Sequence, residues 1–187
     1  MPAGLLVETD LLVDLAKALF VFAQWTVLGF IVDVGLGGDV DWRKGVVVFL
    51  LISTWSVNIY SLTRSYTALG RTNLGPEYTE TLPGLFLEIV TLMQAFGILW
   101  CFARLFALDQ STAQGQAFWA ESFLSQLGNS IFEMSLVMAG VGWAATQPTT
   151  LAEKVVAWLT ASVGGILVVN LFLVSVVLGR RGWWGRV

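Results

Sequence analysis

The chain has 187 residues and a formal net charge of −3; 56% of its residues are hydrophobic, 12% are charged, and the mean hydropathy is +0.75. That composition lies far from the soluble average and predicts an integral membrane protein. The net charge is small and forms no block of one sign, so a nucleic-acid partner has no electrostatic footprint. Histidine is absent, which removes the commonest general base, metal ligand and haem ligand. With no Gx4GK[ST], GxGxxG or GxSxG motif either, an enzyme is not expected.

In chain order, the opening MPAGLLVETDLLVDLAK carries Glu8, Asp10 and Asp14 before its apolar run. A secretory signal would begin with positive charge, so the segment is expected to be retained. A membrane-crossing helix needs about 20 mostly apolar residues. Two such spans are predicted within 1–66: about Leu11 to Leu36, and Gly45 to Thr63, the latter bounded by Arg43, Lys44 and Arg64. Residues 67–84 form a polar connector broken by Pro76 and Pro83. A third span follows at about 85–108, and a fourth, charge-free, begins near Val155 and ends at Gly179. Cys101, the only cysteine, sits inside ILWCFARLF, where neither a disulfide nor a CxxC metal site can be built within one chain.

Between the third and fourth spans the chain is too apolar for an ordinary loop. Residues 128–138 suit a short helix of about three turns, with Asn129 and Ser130 as candidate caps. MAGVGWAATQPTT, Met138 to Thr150, is then neither a good helix nor a strand with side chains to pack. Irregular backbone at membrane depth survives only when it is buried in protein or lines an aqueous path. Glycines permit the dihedrals that aim successive carbonyls at one ion, so the stretch is a candidate ion filter.

FEMSLVMAGVGWAATQPTT is similar to the pore loop of the potassium-channel superfamily, whose filter commonly reads T-V-G-Y-G-D with a proline a few residues later. Taken without gaps, residues 140–145 occupy the six filter places and Pro148-Thr149-Thr150 match the turn. Residues 151–181 resemble that family's inner helix, with Gly164 at its hinge glycine and Arg180-Arg181 at its basic cytoplasmic end. The resemblance covers about residues 117 to 181, with 85–108 as the implied outer helix. It leaves the first two spans unexplained.

The resemblance implies an all-α membrane protein with four transmembrane helices and one re-entrant pore helix with its filter loop, assembled as a homotetramer. Residues 85–187 would form the pore domain. The backbone of Gly140, Val141, Gly142, Trp143 and Ala144 would carry K+ or Na+, braced by Phe132 and Trp143, with no other cofactor. Gly140 in place of Thr loses a hydroxyl at the innermost ion site, and Ala144 and Ala145 replace the outer glycine and aspartate. Relaxed selectivity is therefore expected. The alternative is a non-conducting, channel-derived subunit that serves a larger membrane complex beside accessory partners.

Several residues keep two readings. Glu133 either tunes the filter's field or is a carboxylate held in a protein interior. Gly164-Gly165 is either a hinge or a site of close helix packing. Val168, Phe172 and Val176 recur at four-residue spacing, which suits a hydrophobic pore constriction and equally a lipid-facing stripe. Arg104 is expected to pair with Asp109 or Glu121, and Glu88 to meet water. With both termini cytoplasmic, the inner side holds Lys17, Arg64, Arg71, Arg180, Arg181 and Arg186, against Arg43, Lys44, Arg104 and Lys154 outside. That modest positive-inside bias sets the orientation expected in a plasma membrane, or the inner membrane of a bacterium. The first two spans lack an arginine ladder, so voltage sensing is not expected.

Overall fold

A computed structural model describes the backbone of residues 3–36, 39–69, 82–142 and 147–180, and the side chains within 12–36, 39–60, 86–142 and 147–169. Every regular element among them is helical: α1 (Ala3–Phe30) with a π-helical turn (Ile31–Gly35), α2 (Val40–Leu69), α3 (Leu82–Ala107), α4 (Ala113–Ala120), α5 (Phe123–Met138) and α6 (Leu151–Arg180). Among the described residues, three helical stretches are long and apolar enough to cross a membrane: Leu12–Gly35, Phe86–Ala107 and Leu151–Val169. The expected second span, Gly45 to Thr63, lies inside α2 and runs past the described side chains, which end at residue 60 in that helix. Its apolar run is thinned by Ser53, Thr54, Ser56 and Asn58. Two of these turn their polar atoms back onto their own helix, Ser56 Oγ to the Ile52 carbonyl at 2.7 Å and buried Asn58 Nδ2 to the Thr54 carbonyl at 2.8 Å, which lowers the cost of an apolar environment around them.

α3 is the central element and packs against α1, α2, α5 and α6. Its two faces feed two apolar clusters. One joins Ile98, Cys101 and Leu105 to Val32, Val47, Leu50, Phe123 and Leu127; the other joins Leu92, Phe96 and Trp100 to Met134, Met138, Val156 and Ala157. Trp100 and Cys101 are fully buried. Ionic side chains collect at two ends of the bundle. Arg43 reaches the Glu121 carbonyl and Arg104 reaches Glu153 at one end, while Asp14, Lys17 and Glu88 share a small cavity with Asn58 and Thr91 at the other. Apolar middles between charged ends are what a bilayer selects.

α5 begins at Phe123, five positions earlier than expected. Asn129 and Ser130 do not cap it; Ser122 does, its side chain accepting from the Ser125 N–H. The buried stripe Phe123, Gln126, Leu127, Ser130, Glu133, Met134, Val137 and Met138 follows the helical repeat and faces α3 and α6. Three neighbouring helices meet α5 at glycines. A Cβ on Gly97 of α3 would collide with the Ile131 backbone, and one on Gly164 of α6 with the Met138 carbonyl. One on Gly29 of α1 would lie 2.9 Å from Leu124 Cδ1.

α5 and α6 run in the same direction: Thr160 Oγ1 lies 3.5 Å from Met134 Sδ, and one turn further along both helices Gly164 meets Met138. Reaching the start of α6 from the end of α5 therefore requires a return of about 20 Å, at 1.5 Å per helical residue. Residues 139–150 make that return. An extended chain rises up to about 3.3 Å per residue, so the segment has length to spare and need not be straight.

Candidate functional site

The site is the end of α5, the return segment and the start of α6. α5 stops by a Schellman arrangement: the Val141 N–H donates to the Leu136 carbonyl at 3.0 Å and the Gly140 N–H to the Val137 carbonyl at 3.1 Å. This closure needs a left-handed residue at Gly140, whose φ is +75°. Gly142 is also left-handed, with φ +98°, and no helix end demands it. Val141 between them is not, since every positive φ among the described residues belongs to a glycine. Among the described residues nothing within 4 Å crowds the Cβ position of either glycine, and Val141 is 73% exposed. Gly140 and Val141 are exposed, and Gly142 is half-buried. Trp143, Ala144 and Ala145 lie outside the described residues.

α6 starts at a tight cap. Glu153 Oε2 accepts from the Thr149 N–H at 2.8 Å, Thr149 Oγ1 at 2.9 Å, the Thr150 N–H at 2.8 Å and Thr150 Oγ1 at 3.2 Å. The Glu153 N–H donates back to Thr150 Oγ1 at 3.2 Å. This is a capping box, in which Thr150 and the glutamate three residues on satisfy each other's free N–H groups. The T-x-x-E pattern could have revealed it in the sequence.

Behind the return segment lies a buried ionic cluster. Arg104 Nε is 3.5 Å from Glu153 Oε1, and its NH1 is 3.9 Å from Glu133 Oε2. Glu133 Oε2 also accepts from Trp100 Nε1 at 2.9 Å. The guanidinium stacks on Phe118, 4.5 Å from the ring centroid. All three ionic groups are 5% exposed or less. One cation between two carboxylates ties α3 to α5 and α6. The expected pairing of Arg104 with Asp109 or Glu121 is thus corrected. Glu121 instead accepts from Asn129 Nδ2 at 3.0 Å. Asp109 accepts from the Ser111 N–H and hydroxyl at 2.9 and 2.7 Å, which hold its carboxyl below the usual carboxylate range. The ionic partners of Arg104 are distant in sequence and so escaped a reading based on neighbours.

The remaining candidates fall as follows. Phe132 is 59% exposed, turned away from the chain's own interior. Gly164 is buried against Met138, whereas Gly165 is exposed with open space at its Cβ position. α6 runs through both glycines as one helix. Val168 is 55% exposed. The side chains of Phe172 and Val176 lie outside the described residues. No family model matches this chain, and neither curated proteins nor solved structures yield a match. Fold and composition define an apolar protein whose described residues are helical, with three membrane-length helices among them.

Proposed function

We propose that this chain is a potassium-channel-like pore subunit. Four copies surround an axis, each contributing four spans (α1, α2, α3 and α6), with α5 as a re-entrant pore helix. Monovalent cations pass along the carbonyls of Gly140, Val141, Gly142, Trp143 and Ala144, with relaxed selectivity. The subunit sits in a plasma membrane with both termini cytoplasmic.

One observation carries the reading: non-helical backbone at Gly140–Gly142, exposed at Gly140 and Val141, lies where the chain doubles back between two parallel helices. In a bilayer such peptide groups need shelter or water, and a shared axial path supplies both. The length of α5, about 24 Å at 1.5 Å per residue, falls short of a bilayer core of about 30 Å and suits a helix that enters and returns. Left-handed glycines flanking Val141 are consistent with carbonyls turned to one side.

Reconstitution in vesicles tests the proposal. Monovalent cation flux that disappears with Gly142→Asp, from a protein whose mass in detergent is that of four chains, is the expected outcome. A monomer without flux overturns it and leaves the non-conducting subunit, a reading favoured by the way Gly140 closes α5 as an ordinary helix end.

A further inference from the structure

A pore needs only an outer helix, a pore helix and an inner helix, so the attachment of α1 and α2 is informative. α1 widens at its end into the π-helical turn Ile31–Gly35. Such turns are rare and frequently mark functional positions. From it the Asp33 carboxylate crosses to the first turn of α5, Oδ1 accepting from the Phe123 N–H at 2.7 Å and Oδ2 from the Leu124 N–H at 2.8 Å. The first N–H groups of a helix have no partner inside it and are normally satisfied by the residue just before. Here the local cap, Ser122, takes the Ser125 N–H, and a helix far away in sequence takes two of the others.

The same end is gripped twice more. Gly29 lets the α1 backbone close on Leu124, with only 3.3 Å between an added Cβ and Leu124 Cα. Arg43, in the first turn of α2, donates from NH1 to the Glu121 carbonyl at 3.0 Å. α5 is a continuous helix from these contacts to Met138, and the glycine-flanked segment follows directly. A shift of its first turn therefore moves Gly140–Gly142 as well, because a short helix behaves as a rod.

We propose that Asp33 is a positioning residue for the filter segment: its bidentate cap on α5 makes the α1–α2 pair an input whose placement is read at Gly140–Gly142. This rests on the reading of Gly140–Gly142 as the ion path, and the experiment separates the two. The full chain in vesicles is compared with Asp33→Ala, Asp33→Asn and Asp33→Glu by K+/Na+ permeability ratio. Amide exchange is measured at Phe123 and Leu124, and at Val141, whose N–H is held by Leu136.

The expected result is a permeability ratio altered about fivefold in Asp33→Ala, the size equivalent to one lost cap. Asp33→Asn should be intermediate, oligomeric mass unchanged, and exchange faster at both ends of α5. An unchanged ratio with faster exchange at Phe123 and Leu124 alone makes Asp33 a mere cap and overturns the proposal. Should the wild type pass no ions, the channel reading falls by itself; coupling is then judged by the Val141 amide, supported if Asp33→Ala changes its exchange and overturned if not. Asp33→Asn, which keeps one acceptor oxygen, carries the comparison if the alanine variant does not fold.

Discussion

The two ends of α5 are built on opposite principles. At the first turn, Asp33, Arg43 and Ser122 satisfy polar groups from three separate elements, and Phe123 is fully buried. At the last turn, the helix satisfies its own carbonyls through Gly140 and then releases the chain into open backbone. One end is finished within the subunit. The other lies uncovered by the described residues at Gly140 and Val141. The contrast separates what a single copy can stabilise from what it leaves to neighbours, lipid or water.

The sharpest way to break the comparison is to disturb the cluster that holds the second half of α5. Arg104→Leu leaves Glu133 and Glu153 buried without their cation, and a loss of about 3–5 kcal/mol is expected. Thermal unfolding in detergent should show it as a large fall in midpoint. An unchanged midpoint would show that the cluster does not hold the second half of α5 in place.

A smaller effect distinguishes the paired glycines. Gly164→Ala forces a methyl group into the Met138 carbonyl and should destabilise by about 1–3 kcal/mol. Gly165→Ala enters open space in a helix and should be neutral or stabilising by up to about 1 kcal/mol. The same melts report both. A destabilising Gly165→Ala would show that a neighbouring copy packs there, which would sharpen the contrast between covered and uncovered faces.

The smallest effect belongs to the turn before α4. The Asp109 carboxyl is held low by Ser111, so its contribution is present above the unfolded pKa, about 3.9, and is lost as pH falls through the lower folded value. Amide exchange at Ser111 should accelerate over that acid range in the wild type. Asp109→Asn should show no such step.

The helices expected at 85–108 and 151–181 appear as Leu82–Ala107 and Leu151–Arg180, because long apolar runs bounded by charge and proline are local information. The start of α5 was not legible in the same way. Asn129 and Ser130 have the chemistry of caps, but Ser122 and the distant Asp33 supply the groups that decide where the helix begins. Arg104 shows the same limit. Asp109 and Glu121 are its acidic neighbours in sequence, while packing of α3 between α5 and α6 delivers Glu133 and Glu153 instead. Composition announced the helices; the polar contacts between them depend on how the helices cross.

Gly29, Gly97 and Gly164 each bring a different helix against α5 with no side chain between. The consequence is mechanical leverage. A single methyl group at any of the three would act as a wedge and tilt the rod about the remaining two supports, and the swing would be greatest at whichever end lies farther from them.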